Sequence, residues 1–480
     1  KEGTPKHNNS AGSGSEQGTP DHGALANFDA GEESSNRDFS TNAGTAIAID
    51  IGTTTVVAKL ISLATGNDIW AEADLNEQRP YGADVISRIN ASMDDASLLS
   101  GIITSQLDGM IARLMKNSGH DASTVKRVVI AGNTTMSYLL LGLPCHSLGL
   151  APFEPALTFK EVYAYHEVFH TDTLGAPVYV LPFISSFIGG DITAGLLLRG
   201  SSAQDGTNSP TVSTGAQDKT NHPAISSGGN TFVMEPSFIL VDMGTNGEIV
   251  YHSDRGILCT STAAGPAFEG GNISCGSGSV AGAISRVRVR DGAFAYETIG
   301  DAPARSICGS GILDAMACFA NEEIINASGK LNKDAPFVSE EGVTIANPDA
   351  AAEQIGSEDD QRVTITQKDI REFQLAKSAV RAGIETLISE SGGRVPDKLY
   401  LAGGFGQHLD VESAFRVGLM PESLRGKVIP IGNSSLAGAA RAAADTAYIE
   451  AASHIASQGD EINLATHPLF NTLFMEHMMF

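Results

Sequence analysis

Residues 46–60 (AIAIDIGTTTVVAKL) and 238–252 (FILVDMGTNGEIVYH) align position for position: an apolar run, an acidic residue, a Gly-Thr turn, a returning apolar run. Each predicts a β-hairpin, and a chain that writes one such unit twice around a helical region is built from two related α/β domains. Gly52 and Gly244 permit close backbone approach. The exposed N–H groups and hydroxyls of Thr53, Thr54 and Thr55, and of Thr245, Asn246 and Gly247, suit an anion, and phosphate is the natural one. Asp50 and Asp242, at the strand ends, are placed to hold a hydrated divalent cation, because Mg²⁺ keeps several waters and is usually met by one or two carboxylates. One Asp-x-Gly-Thr turn is ordinary hairpin chemistry; two in matching contexts predict hairpins that face each other and clasp one nucleotide.

A second echo runs beside the first. VVIAGNTTM (128–136) and LYLAGGFGQ (399–407) each predict a strand, an Ala-Gly corner and a turn into a helix. The backbone of Gly403, Gly404 and Phe405 can lie flat against a planar ring, which places adenosine there. Asn133 is a candidate for positioning water or for a hinge contact. Asp191, in GGDITAGL, opens a predicted helix and reads either as its N-cap or as the group that orients the water attacking a γ-phosphate. Glu269 reads as a satisfied loop carboxylate, and CGSGILD (308–314) as a tight helix crossing near a hinge.

Further buried strands are predicted at Val178–Pro182 and Lys427–Ile431. Helical periodicity marks Ile103, Leu107, Met110, Ile111 and Leu114, and Thr366 with Asp369 forms a capping box ahead of Ile370, Phe373, Ala376, Val380, Ile384 and Leu387. Residues 1–44 and 201–230 are polar and small, so they are expected as a disordered lead and a disordered surface insertion, with a shorter excursion at 347–360. The domains are therefore expected at 45–200 and 231–480.

With 480 residues, 42% of them hydrophobic, the chain can bury two cores, and its net charge of −25 argues against nucleic acid and against an anionic membrane surface. No apolar run has the length of a membrane span and no signal peptide opens the chain, so a cytoplasmic protein is expected; a first residue of Lys suggests a fragment. The five cysteines (Cys145, Cys259, Cys275, Cys308, Cys318) include no C-x-x-C pair. Reduced, structural thiols are expected, with a cluster shared across a homodimer as the alternative.

These elements together resemble the superfamily of acetate and sugar kinases, heat-shock chaperone ATPases and actin. Through AIDIGTTTV, VIAGNTTM, GGDITAGL, DMGTNGEI, AAGPAFEGGNISCG, CGSGILD, DIREFQLAKSAVRAGI and YLAGGFG, the chain is similar to the ATP-dependent reductive activators of corrinoid proteins. The resemblance implies two duplicated actin-like (ribonuclease H-like) domains around a nucleotide cleft. It implies ATP and Mg²⁺, with Asp50 and Asp242 at the metal, Thr53–Thr55 and Thr245–Gly247 at the phosphates and Gly403–Phe405 at the base. The implied work is reduction of a corrinoid protein, or a corrinoid methyltransferase subunit, from Co(II) to Co(I). Such activators usually carry a ferredoxin-type cluster motif, and this chain contains none, so the electron is expected from an external ferredoxin or from a domain upstream of Lys1. Three other functions fit the same elements: a small-molecule kinase with Asp191 as base, an activator of 2-hydroxyacyl-CoA dehydratase type, and a nucleotide-gated module of the actin type.

Overall fold

The computed structural model describes residues 44–480 apart from 83, 161, 203–224, 228–229 and 347–361. The expected lead, up to Gly44, and most of the expected excursions lie outside the described residues.

The first hairpin forms as the repeat predicts. β1 (Thr45–Ile51) and β2 (Thr55–Ser62) are antiparallel, and β3 (Asp68–Leu75) pairs with β2. The helices α1 (Val85–Asp94) and α2 (Ala96–Ser118) follow, then β4 (Val125–Gly132), parallel to β1. α3 (Thr134–Leu140), α4 (His146–Gly149) and α5 (Tyr165–Phe169) lead to β5 (Val178–Val180), which completes a sheet of order β3-β2-β1-β4-β5. α6 (Gly190–Leu197) leaves this lobe.

β6 (Gly200–Ser202), β7 (Ile225–Ser227) and β8 (Asn230–Met234) form a small sheet, so both ends of the 201–230 tract carry strand residues. The second hairpin is β9 (Phe238–Met243) with β10 (Gly247–Ser253), extended by β11 (Gly256–Thr262). β12 (Ala283–Arg290), β13 (Ala293–Thr298) and β14 (Ser306–Ile307) make a separate sheet, on which α7 (Gly309–Asn321) packs. A ribbon of β15 (Val343–Ala346) and β16 (Val363–Ile365) precedes α8 (Gln367–Glu390), which Thr366 and Asp369 cap reciprocally as their spacing predicts. β17 (Lys398–Ala402), α9 (Gly403–His408), α10 (Val411–Arg416) and β18 (Val428–Gly432) follow. The chain finishes with α11 (Ser434–Ala444), α12 (Ala447–Gln458), β19 (Gly459–Glu461) and α13 (Pro468–Glu476).

The second large sheet has the order β18-β17-β9-β10-β11-β19. Without the edge strand β19 it repeats the first sheet strand for strand. Register repeats as well: Asp50 lies beside Ala131 and Asp242 beside Ala402, so each hairpin aspartate adjoins its own Ala-Gly corner.

Strand alternation sorts the side chains into three cores. Ile47, Ile49 and Ile51 face outward onto α2, whose Ile103, Leu107, Met110, Ile111 and Leu114 are fully buried there; each such side chain contributes roughly 1.5–3 kcal/mol. Ile239, Val241 and Met243 face outward onto α7 and α8. The intervening residues, Ala46 and Ala48 on β1 and Phe238 and Leu240 on β9, join one central core with residues of α6, α11 and α12.

Helix α11 belongs to the C-terminal half yet packs on β1, β4 and α6. Its small residues make this possible: a Cβ on Gly438 would stand 1.8 Å from the Ala194 carbonyl oxygen, and one on Gly195 2.8 Å from Ser434 Oγ. A tight helix crossing, of the kind expected at CGSGILD, forms here. At Gly309 and Gly311 a Cβ would meet the carbonyl oxygens of Phe268 and Ile284, at 1.8 and 2.2 Å, so those glycines let α7 press closely on the 3-10 turn Pro266–Glu269 and on β12.

Candidate functional site

On β1, Asp50 continues the inward-facing series of Ala46 and Ala48; on β9, Asp242 continues that of Phe238 and Leu240. Both carboxylates therefore look toward the space between the sheets, at the edge of the central core. The turns beyond them are tight: Gly52 N–H donates to the Thr55 carbonyl (3.0 Å) and Gly244 N–H to that of Asn246 (3.0 Å). A Cβ on Gly52 would stand 2.6 Å from the Thr55 carbonyl oxygen, so glycine is required there for steric reasons.

Asp191 lies inside the first turn of α6 rather than at its N-cap, which is Gly189. Its Oδ1 accepts the Ile192 N–H at 2.8 Å, and burial, with the charge of Asp50 nearby, pushes its carboxyl up to about 7. Asp242 is likewise pushed up to about 7, first by burial and then by the charges of Asp191, Asp50 and Glu269. The three aspartates from β1, α6 and β9 thus sit within one another's electrostatic reach. None of them takes part in an ion pair among the described residues. Negative charge of this density on half-buried side chains calls for a cation or protons.

Asp50 is the best held of the three. Asn433 caps α11 with its Oδ1 on the Leu436 N–H (2.8 Å) and donates its Nδ2 to Asp50 Oδ2 (2.8 Å), while Ser435 Oγ donates to Asp50 Oδ1 (2.7 Å). Burial raises the Asp50 carboxyl and these two donors pull it back. Replacing both, Asn433→Ala with Ser435→Ala, removes the donors that favour the charged form, so the Asp50 carboxyl rises further. The acid limb of a nucleotide-hydrolysis pH profile is expected to move to higher pH, with about tenfold lower kcat/KM at pH 7; a pH–rate series on the double variant measures it.

Side-chain placement gives several of the expected site residues partners within the protein. The Thr245 hydroxyl donates to Glu269 (2.7 Å) and so is committed within the protein. Asn133 caps α3 through the Met136 N–H (2.9 Å) and donates to Thr53 Oγ1 (3.3 Å). The Phe405 ring is buried and stacked on Phe268, centroids 4.8 Å apart, so the corner offers Gly403, Gly404 and the Phe405 backbone rather than its ring. Gly403 takes φ 84°, a value open mainly to glycine, and a Cβ there would stand 2.8 Å from Asp242 Oδ1.

Glu248 is a functional candidate that the motifs did not single out. It lies opposite Asp242 in the second hairpin, and burial with the charges of Asp191 and Asp242 drives its carboxyl well above the ordinary range. The signal was present: β2 carries Val57 at the matching position, so the second copy replaces an apolar residue with an acid. Asn433 and Ser435 were missed for a different reason, since they act from far along the chain. The five cysteines are all free, and burial raises the thiols of Cys145 and Cys318 to about 11 and of Cys275 to about 12. Among the described residues no group of three His, Cys, Asp or Glu side chains is arranged to ligate a metal directly, and no helix is long and apolar enough to cross a membrane.

Residues 237–480 match the family described as the C-terminal domain of RACo, the ASKHA domain, and residues 45–203 match the RACo middle region. The chain is 32% identical over 453 residues to the corrinoid activation enzyme RamQ of Eubacterium limosum, covering 90% of this chain and 70% of that protein. It is 24% identical over 472 residues to the [Co(II) methylated amine-specific corrinoid protein] reductase of Methanosarcina barkeri, covering 89% and 76%. The solved structure of a reductive activator for corrinoid, iron–sulfur protein superposes with a TM-score of 0.73 at 30% identity, covering 92% of this chain and 67% of that one.

Proposed function

Since the chain belongs to the RACo family of ASKHA-domain reductive activators, we propose that it hydrolyses ATP to drive reduction of a corrinoid protein from Co(II) to Co(I), the state that accepts a methyl group. One observation carries the nucleotide half of this reading: the two hairpins end in Asp50 and Asp242, on strand faces that share one core and within electrostatic reach of Asp191, and among the described residues no basic side chain is paired to any of the three. That donor set fits Mg²⁺ held through water, since the excess negative charge is half-buried and direct three-ligand geometry is absent among the described residues. Asp50 and Asp242 would hold the ion, whose chemistry when bound is to neutralise polyphosphate charge.

The remaining work falls to the chain. The N–H groups of Thr53–Thr55 and of Thr245–Gly247 bind the phosphates from the two sides, and the Gly403–Phe405 backbone receives the base. Asp191 holds the attacking water: hydrolysis breaks the bond between the γ-phosphorus and the bridging oxygen, and a carboxyl near 7 can take the water's proton at neutral pH. A ligand gripped by both lobes favours their closed arrangement, and its cleavage releases it, giving two states with different partner surfaces.

The partner is a corrinoid protein or corrinoid methyltransferase subunit, and the single electron that turns Co(II) into Co(I) comes from a low-potential iron–sulfur donor, a ferredoxin or a ferredoxin domain ahead of Lys1. We place the protein in the cytoplasm, with a homodimer as its assembled form. Mixing it with Co(II)-corrinoid protein, such a donor and Mg-ATP is expected to produce the Co(I) absorbance, and no ATP-dependent Co(I) overturns the proposal. In the same assay Asp191→Asn is expected to slow ATP turnover about 100-fold while the ATP Kd stays within about threefold, the signature of a group that acts on the water and not on binding.

A further inference from the structure

The largest fully buried side chain among the described residues is a charged one, Arg88, on α1. Its guanidinium makes no ion pair among those residues; the charges acting on it are those of Arg79 and Asp84, and burial lowers it only to about 10, so it stays protonated at neutral pH. A buried ion costs several kcal/mol, and an apolar side chain of similar volume would often serve the fold better. Its neighbours suggest why it is there. Nη2 donates to the Thr53 carbonyl, Nε to the Gly82 carbonyl (3.0 Å), and Nη1 contacts Met136 Sδ (3.2 Å).

Thr53 is the centre of the first phosphate turn, and its neighbours are held from the same side. Asn76, itself 1% exposed, donates its Nδ2 to the Gly52 carbonyl (2.9 Å) and its backbone N–H to the Thr54 carbonyl (2.9 Å). All three carbonyls of the turn are thus drawn toward Asn76 and Arg88. In a trans peptide the carbonyl and the following N–H point in opposite directions. Fixing these carbonyls at the back therefore turns the N–H groups of Thr53, Thr54 and Thr55 away from Asn76 and Arg88, to the side where an anion would sit.

We propose that Arg88 is a positioning residue for nucleotide binding: with Asn76 it locks the first phosphate turn in its anion-receiving orientation from behind, and its buried charge is balanced by the polyphosphate of the bound nucleotide. This rests on the nucleotide reading of the cleft and adds a group that touches neither nucleotide nor metal. It accounts for the choice of arginine, because a planar fork reaches two carbonyls and a sulfur at once while a lysine ammonium cannot span them.

The test is calorimetric titration of the full chain with ATP, ADP and AMP in the presence of Mg²⁺, with thermal melts on each variant. Arg88→Met is expected to weaken ATP and ADP by about 30-fold or more while AMP, which lacks the β- and γ-phosphates, changes by less than about threefold. Arg88→Lys keeps the charge and loses the fork, with about tenfold weaker ATP expected. Asn76→Asp, which puts a carboxylate against the Gly52 carbonyl, is expected to match Arg88→Met. A folded Arg88→Met variant that binds ATP like the wild type, or that loses AMP in the same proportion as ATP, overturns the proposal. If that variant does not fold, Arg88→Lys at wild-type ATP affinity overturns it equally. A wild-type chain that binds no ATP at all points instead to failure of the nucleotide reading.

Discussion

Asp242→Asn is expected to cut Mg-ATP turnover by about 1,000-fold, the largest effect of any single substitution in the cleft. Position and charge both concentrate there. Asp242 ends β9 beside the Ala402-Gly403 corner, adjoins Glu248 across the hairpin, and feels Asp191, Asp50 and Glu269. An amide of the same shape keeps the packing but removes the charge that would face a hydrated cation. The nucleotide-free protein should respond in the opposite sense. Its folded carboxyl, at about 7, lies above the 3.8 of the unfolded chain, so the folded state binds more protons between those values. The stability contributed by Asp242 is then fully present below about pH 4 and is lost as pH rises through about 7. At pH 8 the asparagine variant is expected to unfold later than the wild type, by about 1–2 kcal/mol, and the gain should vanish at pH 4. Chemical denaturation at both pH values, alongside a phosphate-release assay, measures both halves.

Gly438→Ala is expected to destabilise the fold by about 3 kcal/mol or more, although alanine is the better helix former. Two effects compete at this position on α11. Helix propensity alone favours the substitution by about 1 kcal/mol. Against it, the new methyl would stand 1.8 Å from the Ala194 carbonyl oxygen of α6, a contact that backbone atoms cannot relieve without parting the helices. Sterics win because α11 is clamped on both sides, by α6 and by β1 and β4. The separation would also draw Asn433 and Ser435 off Asp50, so nucleotide hydrolysis should fall along with the melting temperature. Gly101→Ala on α2, where a Cβ meets nothing within 4 Å, is the control and is expected to gain up to about 1 kcal/mol. Equal thermal shifts for the two variants would show that the crossing is not tight.

The hairpins, the helix periods and the capping box at Thr366 were legible because each is a local pattern: period-two alternation, a 3.6-residue rhythm, a side chain reaching three residues along. The duplication was legible too, since two copies of one unit inherit one strand order, and β3-β2-β1-β4-β5 recurs in β11-β10-β9-β17-β18. Illegible in the sequence were the side-chain contacts whose partners are distant along the chain. Nothing local distinguishes Asp191 as an N-cap from Asp191 inside the first turn of the helix and crowded by Asp50, and the Thr245 hydroxyl looks free until Glu269 arrives from the next loop.

What the sequence determined by itself, then, was the pair of hairpins, their acidic strand ends and the family to which those motifs belong. Which faces of the two sheets share a core, and hence that Asp50 and Asp242 both lie at its edge, came from packing between distant segments. It alone brought Asn433 and Ser435 to Asp50 and set Arg88 behind Thr53. The physical reason is that strand and helix periods are properties of neighbouring residues. The energy of a buried charge is set by whatever the fold packs around it, from anywhere along the chain.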